Sequence, residues 1–105
     1  MTTLSTHVLD TATGEPGAGM RVHLSRADSE GGWERLAELE TDDDGRGAGF
    51  GDLEAGRHRL GFETGEYGNE FFPFVHVVFE VEEERSHYHV PLLLSPYGYI
   101  TYRGS

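Results

Sequence analysis

Glycine interrupts this sequence so often that no long helix fits into it. There are 15 glycines in 105 residues. Because glycine weakens helix interiors, the chain reads as short extended runs divided by tight turns. Residues 4–10 form the first run, closed by Thr-Ala-Thr-Gly-Glu-Pro-Gly. Residues 21–26 alternate, with Val22 and Leu24 on one face and Arg21, His23 and Ser25 on the other. Residues 33–40 alternate less cleanly. Residues 42–47 read as an acidic turn, 50–53 as a short edge strand and 57–62 as a further strand. Residues 64–70 have room for one helical turn, which Gly65 and Gly68 keep short. The strongest strand covers 73–82, where Val75, Val77, Phe79 and Val81 recur at period two. A charged hairpin tip is expected at 82–85. Residues 88–94 place Tyr88, Val90, Leu92 and Leu94 on one face, and 98–103 close the chain. Roughly eight short strands with regular turn signals predict an all-β fold, an antiparallel β-sandwich. A small β-barrel satisfies the same pattern.

Residues 1–105 make a single domain with one core. The net charge of −11 argues against nucleic acid and against an anionic membrane surface as partners. All eight cationic residues are arginine, so Schiff-base chemistry on lysine is excluded. The absence of cysteine removes disulfides, thiolate catalysis and cysteine-ligated zinc. The opening MTTLSTHVLD lacks a basic region followed by an apolar run. No stretch approaches the roughly 20 apolar residues of a membrane helix. The expectation is a soluble protein, cytoplasmic first and otherwise of an organelle lumen.

The last nineteen residues, from His87 to Ser105, hold two histidines, four tyrosines and an arginine. Chain ends normally fray, and this composition predicts an ordered tail. His87 and His89 share a strand face, opposite to Val90, Leu92 and Leu94. Two imidazoles on a non-core face are solvent decoration, metal ligands or catalytic groups, since histidine titrates near neutrality. A third histidine, His7 or His76, would complete a zinc site. The tail offers no carboxylate and Arg103 is near, so no metal is expected. For His7, the plain reading is a half-buried imidazole satisfied by a backbone carbonyl. Arg46 follows Asp42-Asp-Asp-Gly. It either pairs with those acids, which contributes little at a surface, or presents a planar cation to an anionic or amide substrate. Tyr102 offers a hydrogen bond or a proton, and Arg103 a tether for the terminal carboxylate or for the substrate. Both also suit an edge strand at a subunit contact. Ser105 has no legible serine–histidine–acid arrangement around it.

Three segments together, Leu4-Ser-Thr-His-Val-Leu-Asp-Thr11, Asp44-Gly-Arg46 and the closing tail, resemble the 5-hydroxyisourate hydrolases of the transthyretin-related family. The resemblance spans essentially the whole chain. The terminal Tyr102-Arg-Gly-Ser105 is the motif that sets these hydrolases apart from transthyretin proper. The resemblance implies a sandwich of two four-stranded sheets with one short helix near residues 64–70. It also implies a homotetramer, a dimer of dimers, with active sites in the channel between dimers. The implied reaction is hydrolytic ring opening of 5-hydroxyisourate in urate degradation, without a cofactor. The implied catalytic residues are His7, Arg46 and His89, with Tyr102, Arg103 and Ser105 binding substrate. Ile100 stands where the family usually has serine, which predicts a change in packing or channel shape without loss of activity. Phe74 and His76 also look unusual for the family.

Such a hydrolysis needs an activated water, a cation for the developing oxyanion and an acid for the leaving nitrogen. One of His7 and His89 would activate water while the other orients it or supplies a proton, and Arg46 would polarise the carbonyl or hold the urate-like ring. Two rivals make different demands. A non-catalytic transthyretin-like carrier would bind a small ligand in the channel and would not require His89 together with the tail. An adhesive β-sandwich module would tolerate loss of the last four residues.

Overall fold

A computed structural model describes residues 1–105. In chain order the strands are β1 (Thr3–Asp10), β2 (Glu15–Pro16), β3 (Arg21–Ala27), β4 (Trp33–Glu40), β5 (Arg46–Ala48) and β6 (Gly56–Phe62). Helix α1 (Thr64–Tyr67) follows, then β7 (Val75–Val81), β8 (His87–His89), β9 (Leu92–Ser95) and β10 (Gly98–Thr101). They form the expected two sheets with one short helix.

One sheet has the order β4-β3-β6-β7, antiparallel throughout. The other is built around β1. Its six segments occupy only four ribbon positions, because two of the ribbons are broken. β5 and β2 share one edge of β1, while β8 and β9 run parallel along its other edge. β10 pairs with β9, and Gly104 continues that outer ribbon with a bridge to His89. Leu4 and Val8 of β1 point inward with Tyr88, Val90, Leu92 and Leu94. They meet Val22, Leu24, Leu60, Phe62, Val75 and Val81 of the facing sheet in one 15-residue core. Each fully buried side chain of this kind contributes about 1.5–3 kcal/mol. The side chains that alternate with Leu4 and Val8 must then face outward.

The imperfect alternation of β4 has a cause: the register against β3 shifts at Leu24/Ser25, which leaves Leu36 without a partner and exposed. Three other local readings differ from the structure. His23 and Ser25 lie opposite to the core residues of β3 yet are buried too, at 4% and 2% exposure. β3 is an inner strand, and His23 is shielded there by Glu63 and His76. Residues 50–53 form no strand. Phe50 and Leu53 are buried in the core, and the Leu53 amide donates to the Thr2 carbonyl at 2.8 Å. Residues 82–85 are not a hairpin tip, because β7 and β8 belong to different sheets. The crossing is fastened by Tyr88, whose hydroxyl accepts from the Glu82 amide at 2.8 Å while Arg85 lies over its ring. No helix is long and apolar enough to cross a membrane.

The turn before β5 decides where Arg46 stands. The Asp42 carboxylate accepts from the amides of Asp44 and Arg46 at 2.9 and 3.0 Å. The Gly45 carbonyl accepts from the Val8 amide at 2.7 Å. Gly45 has φ 76°, and a Cβ there would lie 2.4 Å from the Val8 carbonyl oxygen. Left-handed strain and collision with backbone each cost about 1–3 kcal/mol. Gly45→Ala is therefore expected to destabilise the protein by about 2–4 kcal/mol, read from denaturant unfolding at fixed protein concentration.

Candidate active site

The outward face of the β1 sheet collects most of the polar residues singled out in the sequence. Strand alternation puts Thr3, Ser5 and His7 on this face of β1. The register then sets Arg46 opposite His7, Ala48 and His89 on either side of Ser5, and His87 opposite Thr3. A groove of about 320 Å³ runs over this surface, lined among others by Ser5, Arg46, His87, His89 and Ser105. Ser105 reaches it because the Gly104 amide donates to the His89 carbonyl at 2.7 Å. A Cβ on Gly104 would sit 2.6 Å from His89 Cδ2, so only glycine lets the tail lie this close.

Arg46 is one of two arginines left unengaged. Arg21, Arg26, Arg35 and Arg57 form ion pairs. Arg59 and Arg85 lie over aromatic rings. That leaves Arg46 and Arg103 out of the eight. The acids before Arg46 form no ion pair with its guanidinium; Asp42 binds the backbone amide instead. That hydrogen bond, first among the causes, holds the Asp42 carboxyl below the usual range.

His89 Nδ1 lies 2.8 Å from Ser5 Oγ, and its Nε2 has no protein partner. Burial lowers its pKa, and the charges of His7, His87 and Arg46 add to the effect. His7 is turned differently. Its Nε2 lies 2.9 Å from the Asp44 carbonyl, which only accepts, so Nε2 carries a proton. The plain reading of His7, a backbone carbonyl partner, therefore holds, while the same contact orients the ring beside Arg46.

Tyr102 and Arg103 stand apart from the groove in a single chain. They line a separate hollow of about 310 Å³ between the tail and β7, together with Val78, Phe79 and Tyr88. Ile100 pairs with Leu93, and both lie on the sheet face that carries His89, with Ile100 61% exposed. His76, weighed as a third metal ligand, sits on β7 of the other sheet against Phe74. The largest cavity, about 530 Å³, lies beside α1 and holds no histidine or arginine. Catalytic chemistry points to the smaller groove. Sequence reasoning missed Thr3 and Ser5 as members of this face. Their signal was present in the period-two spacing Thr3, Ser5, His7.

The sequence profile of the HIUase/Transthyretin family matches residues 4–104. The chain belongs to that family. It is 48% identical to the 5-hydroxyisourate hydrolase of Caulobacter vibrioides, over 100% of both chains. The structure of Klebsiella pneumoniae 5-hydroxyisourate hydrolase superposes with a TM-score of 0.87 at 42% identity, covering 100% of both chains. Sea bream transthyretin, solved with thyroxine, superposes with a TM-score of 0.90 at 30% identity, covering 96% of this chain and 93% of that one. An enzyme and a hormone-binding protein thus share the family fold almost equally well, so the fold alone does not separate catalysis from carriage.

In a pH series followed by NMR, the His89 imidazole is expected to titrate below the ordinary histidine value of about 6.5. A lowered pKa means that the neutral form persists to lower pH, so His89 is neutral at pH 7.

Proposed function

We propose that this chain is a 5-hydroxyisourate hydrolase, opening the ring to 2-oxo-4-hydroxy-4-carboxy-5-ureidoimidazoline. The observation that carries the reading is the groove itself. An imidazole with a free nitrogen and an unpaired guanidinium meet there on one rigid sheet face. A carrier needs neither group. His89 Nε2 takes a proton from water as its oxygen attacks the ring carbonyl. The guanidinium of Arg46 stabilises the oxyanion, which is the charge that develops in the transition state. Collapse of the intermediate breaks the carbon–nitrogen bond, and the proton held on His89 returns to the leaving nitrogen. His7, oriented by the Asp44 carbonyl, positions the ring beside Arg46. Ser105 closes the end of the groove. No step calls for a metal or an organic cofactor.

The active unit in this reading is a homotetramer, a dimer of dimers, with sites between dimers. Exposed apolar side chains on both sheets support it, namely Phe74 and Val78 at the β7 edge and Ile100 and Tyr102 at the tail. Large exposed apolar groups of this kind mark interaction surfaces. Assembly would bring Tyr102 and Arg103 toward a neighbouring site, and Ile100 would shape the channel wall.

General-base catalysis contributes about 10²–10⁴-fold. His89→Ala is expected to lower kcat/KM for 5-hydroxyisourate by about that factor while light scattering shows the same assembly. Arg46→Lys keeps the charge and loses the planar donor pair, so it too should lower kcat. Full turnover in His89→Ala would rule out this assignment of the base.

A further inference from the structure

Two side chains on the active face have no part in that chemistry, yet an unbroken line of hydrogen bonds joins them to it. Thr3 Oγ1 lies 2.7 Å from His87 Nδ1, His87 Nε2 lies 3.0 Å from Ser5 Oγ, and Ser5 Oγ lies 2.8 Å from His89 Nδ1. The line follows from register, since β1 and β8 run parallel with Thr3 opposite His87 and Ser5 opposite His89. A neutral imidazole has one N–H and one bare nitrogen, and a hydroxyl has one proton. Three arrangements satisfy every contact. In one, all protons point toward His89, whose own proton then sits on Nε2. In another, Ser5 accepts from both imidazoles and Thr3 donates to His87 Nδ1. In the third, all point back toward Thr3, and His89 Nε2 is a bare lone pair. The Thr3 end favours the third. Thr3 Oγ1 also lies 3.4 Å from the Ser86 carbonyl oxygen, which only accepts. A proton directed there leaves Thr3 to accept from His87 Nδ1–H.

We propose that His87 is a positioning residue for the hydrolysis. Acting through Ser5, it holds the proton of His89 on Nδ1 and keeps Nε2 open as the acceptor facing the groove. The catalytic consequence rests on the hydrolase reading, whereas the tautomer rests on geometry alone. The tautomer of a histidine is set by the partner of its other nitrogen, and here that partner is itself held by a second histidine. Thr3 and His87 do not touch the reacting atoms.

Nitrogen NMR of the intact protein carrying labelled histidine reads the tautomer directly. His89 is expected as Nδ1–H in the unsubstituted protein. His87→Phe and Ser5→Ala are each expected to shift it toward Nε2–H and to lower kcat about ten- to a hundred-fold with KM little changed, as for other partners that fix a histidine. His87→Gln, whose amide oxygen accepts from Ser5, should restore most of kcat. The double variant should cost no more than Ser5→Ala alone, because both substitutions cut one line. An Nε2–H tautomer in the unsubstituted protein overturns the inference. So does full kcat with an unchanged tautomer in His87→Phe. If the unsubstituted protein did not accelerate 5-hydroxyisourate decay, the hydrolase reading would fall and the catalytic role with it, while the spectrum would still decide the tautomer.

Discussion

β1 is hydrogen-bonded along both edges, and the site depends on that. β5 and β2 hold one side and β8 and β9 the other, so residues distant in sequence are fixed in register around Ser5 and His7. The inward side chains Leu4 and Val8 lock the strand into the core. A one-residue slip would carry Thr3, Ser5 and His7 to the interior and the leucine and valine to water. The cost of such a slip is what keeps the outward face constant. Catalytic groups borne on paired strands are held more tightly than groups on loops.

Placement also explains how a strongly acidic chain can treat an electron-rich substrate. The net charge of −11 is spread over the surface, and most of the arginines are consumed by their neighbours. Arg46 escapes because the turn that precedes it uses its acid for a backbone amide. At the groove Arg46 is therefore a cation at short range, where it acts on a bound substrate more strongly than carboxylates farther away.

Much of this was legible in the residues. The strands at 4–10, 21–26, 33–40, 57–62 and 73–82, the helical turn at 64 and the shared face of His87 and His89 follow from alternation and glycine placement. What alternation does not carry is which edge meets which. Nothing local in Arg46-Gly-Ala48 shows that it pairs with β1, and the acidic run before it hides the strand. The role of Phe50 and Leu53 as buried plugs without a strand is set by tertiary contact, as is the crossing of 82–85 between sheets. Within the site, His89 and Arg46 stood out by residue type. Ser5 did not, because a strand serine is ordinary until the register places an imidazole on either side of it.

The central claim is that one sheet face, closed by the tail, forms the catalytic site. The most direct test follows 5-hydroxyisourate by absorbance, with the substrate generated in situ by urate oxidase. The intact protein is compared with a chain ending at Tyr102, which lacks Arg103, Gly104 and Ser105. The account predicts decay well above the spontaneous rate with the intact protein and its loss on truncation. Decay at the spontaneous rate with the intact protein would contradict it and favour a transthyretin-like carrier.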